Sequence, residues 1–405
     1  MITRETPHLK LAFIGGGCNS AVGYAHYSAS HLDGCWQLVA GAFSRHNDIN
    51  ELTARQYGLP PERVYDDWRQ LLAECRTELD AVAILTPTPA HQDMVCAALD
   101  AGLTVICEKS LTDSVASAEA IKRSLKASDG RLLVTYNYSG YPMVRELRKR
   151  VRVGQLGRIR HMHLEMPQEG FARLLENGEK PSPQPWRLQD GTIATLHLDL
   201  TTHLHHLAYY LTGKRPLRVL ADHNTFGWFD SVVDDATALV DYEDDLHCRY
   251  WVSKSALGYK NGLSLRVMGD RGSALWLQTE PEQLQLNFVD GRREIVERGG
   301  SCLVANEGQY NRFKAGHPSG FIEAFANLYR DFATAVVSQR QNKISTIWKE
   351  YGIEPAQEGL HLMEVMGRSH ASQQWEVINE RCTTVRNAGT TQLRDHLSVA
   401  DRRIS

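Results

Sequence analysis

An apolar run at positions 9–14 ends on Gly15-Gly16-Gly17, continues through Cys18-Asn19-Ser20 and passes into a helical pattern that lasts to position 32. Strand, glycine turn, helix is the order that most limits what this chain can fold into. The glycines let the backbone approach a pyrophosphate, which then sits at the N-terminus of the following helix. Ser20 stands where the third glycine of such a turn is usual. A ligand-free structural turn is the competing reading of these residues taken alone.

The alternation continues. Residues 37–43 read as a strand, 50–57 as a helix, 64–65 as a brief strand, 68–75 as a helix and 80–85 as a strand that stops at Thr86-Pro87-Thr88-Pro89-Ala90-His91. A helix over 92–101, a strand over 103–109, a helix over 114–128 and a strand over 132–135 complete a unit of six strands. Strands alternating with helices predict a doubly wound parallel sheet, with ligands beyond the carboxyl ends of the strands. His91 and Lys109 fall at such ends. Ser44-Arg45 occupy the place of the ribose-binding residue. An acidic side chain there would accept from the 2′-hydroxyl of NAD, whereas Ser-Arg suits a 2′-phosphate, which tilts the cofactor toward NADP. Arg45 lying over the adenine ring is the alternative.

Past a polar, aromatic hinge at 136–142, a helix to about position 153 carries Arg145, Arg148 and Arg150, which read as a solvated face. From 159 the period becomes two, and strands are expected over 217–224, 236–242, 246–252, 263–268, 274–277 and 283–288, with helices over 198–211, 321–337 and 357–371. The fold class is therefore α/β: an N-terminal doubly wound parallel sheet over 1–136, then an α/β domain with a large open, mainly antiparallel sheet over 137–378, and a polar, loosely held tail over 379–405. The second sheet suits pairing with another subunit, as a homodimer or homotetramer.

Forty-five basic against 48 acidic residues, a net charge of -3, argue against nucleic acid or an anionic membrane as partner. Eight cysteines without a Cys-x-x-Cys pair, no apolar leader and no run near the roughly 20 residues that span a bilayer predict a cytoplasmic protein.

Asp199 and His203 are four apart, so on a helix they share one face. With Lys109 beside a nucleotide fold, they make a carboxylate, an imidazole and an ammonium that can handle a proton. The bland readings are a Lys109–Glu108 ion pair, a helix-capping Asp199 and a core His203. His197, His203, His205 and His206 invite a zinc site, yet His205 and His206 point about 100° apart on a helix, and no metal is expected. Trp186 offers a face to a sugar ring and Arg187 a fork to a carboxylate or phosphate, or else Trp186 anchors its loop. Asn137 and Tyr138 either touch the nicotinamide or shape the hinge.

Together the glycine turn, residues 38–44, Thr86-Pro87 with His91, Glu108-Lys109, residues 138–144, Trp186-Arg187, Asp199 with His203, Gly316-His317-Pro318 and residues 324–332 resemble the Gfo/Idh/MocA family of NAD(P)-dependent oxidoreductases, over about 9–378. Residues 324–332 are similar to a subgroup linked to sugar or polyol metabolism. The resemblance implies hydride transfer at a hydroxyl-bearing carbon of a sugar, inositol or related polyol. It makes Lys109, Asp199 and His203 the catalytic set, with His203 taking the hydroxyl proton, Asp199 orienting it or binding a hydroxyl, and Lys109 polarising the oxygen, duties that the lysine and the histidine can share. Gly15, Gly17, Cys18, Asn19, Ser20, Ser44, Arg45, Thr86, Pro87, His91, Glu108, Lys109 and Asn137 would hold NADP or NAD; Tyr138, Trp186, Arg187 and His317 would hold the substrate. Ser110 replaces the proline usual after the lysine, which frees the backbone there. Two further readings stand beside this one: a cofactor-binding regulator without turnover, motivated by Ser110 after Glu108-Lys109, and, within the same fold, an enzyme using tightly bound NAD for transient oxidation with elimination or hydrolysis.

Overall fold

The computed structural model describes residues 8–379, so the expected tail beyond 379 lies outside the described residues. In the first half, β1 (Leu9–Gly15), α1 (Ala21–Leu32), β2 (Trp36–Ala42), α2 (Asn47–Tyr57), α3 (Trp68–Cys75), β3 (Ala81–Leu85), α4 (His91–Asp100), β4 (Thr104–Glu108), α5 (Val115–Ala127) and β5 (Arg131–Thr135) follow in order. The strands form one parallel sheet in the order β2-β1-β3-β4-β5. Helices cover both faces, which is why β3 is an unbroken buried run of Ala-Val-Ala-Ile-Leu. The sheet has five strands, not six. Val64 makes only a single bridge to Gly41, because Pro60 and Pro61 precede it with a tight turn and Asp67 caps α3 directly after.

Ser20 is the N-cap of α1, its hydroxyl accepting from Gly23 N at 3.2 Å. Gly23, one turn into the helix, makes the close approach expected of a third glycine. A Cβ there would lie 2.2 Å from Gly16 O.

The second half comprises α6 (Pro142–Arg152), β6 (Ile159–Pro167), α7 (Thr202–Thr212), β7 (Pro216–Asn224), β8 (Asp235–Tyr242), β9 (Leu246–Ser253), β10 (Ser264–Gly269), β11 (Gly272–Leu277), β12 (Gln283–Phe288), β13 (Arg293–Glu297), α8 (Phe321–Arg340), α9 (Ile347–Glu350), α10 (Ile353–Ser372) and β14 (Glu376–Val377). Its strands form one sheet ordered β13-β12-β11-β10-β6-β9-β8-β7-β14. Every pairing is antiparallel except β6 with β9. Met162, Leu164 and Met166 of β6 enter the core while His161, His163 and Glu165 face the other side, the alternation that a half-buried strand requires. No helix among the described residues is long and apolar enough to cross a membrane.

The arginines of α6 are not a solvated face. Arg145 and Arg150 are buried; Arg145 pairs with Asp331 at 2.7 Å, Arg150 with Glu146 at 2.7 Å, and Arg148 with Glu350 at 2.9 Å. Helix-period charge patterning reads the same whether the opposing surface is water or acidic helices. Trp36 Nε1 donates to Tyr329 O at 2.8 Å, tying α8 of the second half to β2 of the first.

Candidate active site

The carboxyl ends of β1 to β4, the end of β6 and the turn Pro185–Leu188 converge on a cavity of about 730 Å³. At one end Gly15, Gly17, Asn19, Ser20, Ser44, Arg45, Thr86 and Pro87 line it, together with His46. Gly15 and Gly16 have φ of 82° and 72°, the left-handed region, and a Cβ on Gly15 would lie 2.8 Å from backbone atoms of Leu85 and Thr86. Backbone that close leaves room for a phosphate at the start of α1. Arg45 is exposed and forms no ion pair among the described residues.

Asn137, in the turn that follows β5, lines the same cavity, and its amide nitrogen is buried without a hydrogen-bond partner. A buried donor left unpaired is costly, so an acceptor is expected there. The glycine cradle and this donor fit a dinucleotide.

Two residues expected at the cofactor do not line the cavity. His91 is fully buried, its ring nitrogens 2.7 Å from Thr86 O and 3.0 Å from Ser110 O, so it braces the two loops flanking the cavity from behind. Cys18 faces α2, its N–H donating to Thr53 Oγ1 at 2.9 Å. His317 is likewise outside the cavity. It is exposed against Phe313 at 4.6 Å, because its segment is held by Arg298 donating to His317 O.

The opposite end of the cavity is built on Asp199. His197–Thr201 form one π turn that leads into α7, so Asp199 and His203 do not sit on a regular α-helix as their spacing predicts. No hydrogen bond joins them. Instead Lys109 Nζ lies 2.7 Å from Asp199 Oδ1 and donates to Asp199 O at 3.0 Å, while Arg187 Nη1 and Lys254 Nζ reach Oδ2 at 2.8 and 2.7 Å. Burial alone would raise the Asp199 carboxyl, but Lys109, Lys254 and Arg187 hold it well below the usual carboxylate range. Burial pulls the Lys254 ammonium down, against the attraction of Asp199.

His203 lines the cavity edge-on to Tyr138, with ring centroids 4.7 Å apart, and its Nδ1 is buried without a partner. Burial and then the neighbouring Lys109 charge keep its imidazole well below its ordinary range, hence neutral. Tyr138 OH accepts from Asn261 at 3.0 Å. The Arg187 guanidinium lies over the Trp186 ring at 4.5 Å, and both residues line the cavity.

Glu108 turns away from Lys109 to accept from Thr135 Oγ1 and to meet His26 Nε2 at 3.0 Å. The backbone after Lys109 is not freed by the missing proline. Ser110 is buried and its hydroxyl donates to Leu198 O at 2.9 Å, tethering the lysine loop to the residue before Asp199. The remaining histidines disperse: His197 Nε2 meets His223 Nε2 at 2.9 Å, His205 Nδ1 meets Tyr242 OH at 3.3 Å, and His206 stacks on Tyr136 at 3.9 Å.

Sequence reasoning passed over Lys254. It directly follows β9, whose end is level with that of β6, and its N–H donates to Asp234 O at 2.7 Å while its carbonyl accepts from Phe171 N at 2.7 Å. A lysine closing a buried strand was the available signal, the same one that singled out Lys109.

Comparison with known proteins agrees with this architecture. Residues 9–136 match the model of an oxidoreductase family with an NAD-binding Rossmann fold, and residues 144–275 match the GFO/IDH/MocA C-terminal domain. An uncharacterized oxidoreductase, YfiI of Bacillus subtilis (strain 168), is 30% identical over 339 residues, covering 81% of this chain and 85% of its own length. A levoglucosan dehydrogenase of Pseudarthrobacter phenanthrenivorans is 24% identical over 265 residues, 60% of this chain and 65% of that protein. The crystal structure of an inositol dehydrogenase homolog from Azotobacter vinelandii, complexed with NADH and myo-inositol, superposes with a TM-score of 0.82 at 29% identity, covering 92% of this chain and 98% of that one. With a parallel nucleotide-binding sheet, a second mainly antiparallel sheet and matches across both, the chain belongs to the GFO/IDH/MocA family of oxidoreductases.

Proposed function

We propose that this protein interconverts a secondary hydroxyl and a ketone on a sugar, inositol or related polyol, with His203 as the proton acceptor. The observation that carries the reading is the division of labour around Asp199. Three cations occupy its oxygens, so Asp199 is an anchor and not a base, and the neutral imidazole of His203 lines the same cavity as the Lys109 it anchors. When bound, the nicotinamide supplies the acceptor for the hydride. The chain's own residues do the rest: His203 takes the hydroxyl proton, and Lys109, held by Asp199, stabilises negative charge growing on that oxygen. In the reverse direction His203 returns the proton and Lys109 polarises the carbonyl.

Residues 1–136 would hold the dinucleotide, and residues 137–378 the substrate and the contacts between subunits. Gly15, Gly17, Asn19 and Ser20 serve the phosphates and Asn137 the nicotinamide end. Unpaired Arg45 favours a 2′-phosphate and therefore NADP. Relatives named for myo-inositol and levoglucosan support a polyol or sugar substrate, with Tyr138, Trp186 and Arg187 as contacts.

The test is titration of the protein with NADH and NADPH by fluorescence, then absorbance at the nicotinamide band against sugars, inositols and their keto forms. Turnover that falls about 100-fold or more in His203→Ala, with cofactor affinity kept, is expected. Undiminished turnover in that variant overturns the assignment.

A further inference from the structure

Lys109, Arg187 and Lys254 face one carboxylate, Asp199, at the reacting end of the cavity. Three cations against one anion leave two positive charges uncompensated among these four groups, and the side-chain exposure of each is 30% or less. Glu108, which also lines the cavity and interacts with the Lys109 charge, offsets one of these two, so one positive charge is left over. Glu108 is turned to His26 and Thr135, and Asp190 accepts from the backbone N–H of Thr195 and Val233, each at 2.8 Å. Gln168, Gln184, Tyr138, Trp186 and neutral His203, which complete this end, bring no charge.

Excess charge taken out of water is expensive unless a counter-charge arrives. The hydroxyls of a neutral polyol bring none. Arg187 spends only Nη1 on Asp199, in the one side-chain hydrogen bond it makes among the described residues, and the rest of its fork belongs to a residue that lines the cavity. That planar fork matches a carboxylate, which can accept two parallel hydrogen bonds from it.

We infer that the substrate is a sugar acid, a uronate or aldonate, whose carboxylate pairs with Arg187 while the oxidised hydroxyl lies between Lys109 and His203. This deepens the dehydrogenase reading and rests on it for which end of the cavity receives the substrate. Lys254 is a positioning residue in this arrangement: it neutralises Asp199 Oδ2 jointly with Arg187, leaving the guanidinium's other donors to the incoming anion.

The test measures binding by calorimetry to the NADH-loaded protein of D-glucuronate, D-galacturonate and D-gluconate, each against its own amide, which has the same shape without the charge. At least one acid is expected to bind roughly tenfold more tightly than its amide. That ratio should fall toward one in Arg187→Gln and be partly kept in Arg187→Lys. Equal binding within every pair, tighter binding of the amides, or no binding by any member overturns the inference, and none of these outcomes depends on a variant folding. Absorbance assays on the same preparations separate the two readings. Turnover of neutral polyols without any acid preference overturns the sugar-acid inference alone, whereas acid-selective binding with no redox change on any compound overturns the dehydrogenase reading alone.

Discussion

Lys254 Nζ lies 2.7 Å from Asp199 Oδ2, joining the end of a strand in the second sheet to the π turn that carries the carboxylate. Lys109, from the first sheet, holds the other oxygen at 2.7 Å. Asp199 is thus clamped between the two halves of the protein, and the lysine proposed to polarise the substrate is placed by a residue it never touches.

Lys254→Met removes that outer clamp while keeping the length of the side chain. Asp199 Oδ2 is then held by Arg187 alone, which loosens the carboxylate that places Lys109. A loss of roughly tenfold in kcat/KM is expected, with NADH affinity unchanged. Steady-state kinetics beside a fluorescence titration checks it, and a parallel loss of NADH binding would mean that Lys254 serves the fold as a whole.

Among the described residues, the Ser110 hydroxyl makes the one side-chain hydrogen bond from the Lys109 loop to Leu198 O. Ser110→Ala leaves a buried carbonyl without this donor, a cost of about 1 kcal/mol. We expect turnover to drop about fivefold with the melting temperature lowered by only a few degrees. Unchanged kinetics would show that the contacts of Lys109 with Asp199 and of His91 with Ser110 O suffice to hold the loop.

Gly23→Ala places a Cβ 2.2 Å from Gly16 O and 2.6 Å from Gly16 Cα. Backbone cannot yield as a side-chain tip does, so α1 must move away from the glycine turn. NADH affinity should fall at least tenfold, by roughly 1.4 kcal/mol or more, read by fluorescence titration. The neighbouring Tyr24→Ala, at an exposed position outside the cavity lining, is the control and should bind normally.

His206 is buried between Tyr136 and Tyr351, and burial lowers its pKa to about 3. In the unfolded chain it titrates near 6.5, so below that pH the unfolded state binds a proton that the folded state refuses. Its contribution to stability is present above about pH 6.5 and is lost as pH falls toward 3, at about 1.4 kcal/mol per pH unit in between. His206→Phe keeps a ring against Tyr136 and removes the titration. Urea unfolding between about pH 6 and pH 4 should show a pH slope shallower by that amount in the variant. An unaltered slope would assign the acid sensitivity to other groups, with His205, held near 4 by burial, as the next candidate.

Much of this architecture is written locally. The parallel sheet follows from short apolar runs such as β3, whose five residues are all buried, and the second sheet follows from the period of two in β6. These patterns are legible because each element must bury a face of its own, whatever partner covers it. The glycine turn and the placement of Lys109 at a strand end are equally local. What only the tertiary structure decided is which distant groups meet. Lys254 reaches Asp199 because β9 runs parallel to β6 and ends beside it, a pairing that no local period encodes. Arg145 and Arg150 are buried because α8 and their own helix supply acids where the pattern suggested water. Gly23 took the close approach expected of Ser20 because α1 begins one residue later, with Ser20 spent on its cap. His317 sits away from the cavity because Arg298 holds its carbonyl elsewhere. Periodicity reports that a side chain is covered, but the identity of its cover is set by docking across long stretches of chain, and charge complementarity at that range appears only once the two sheets are brought together.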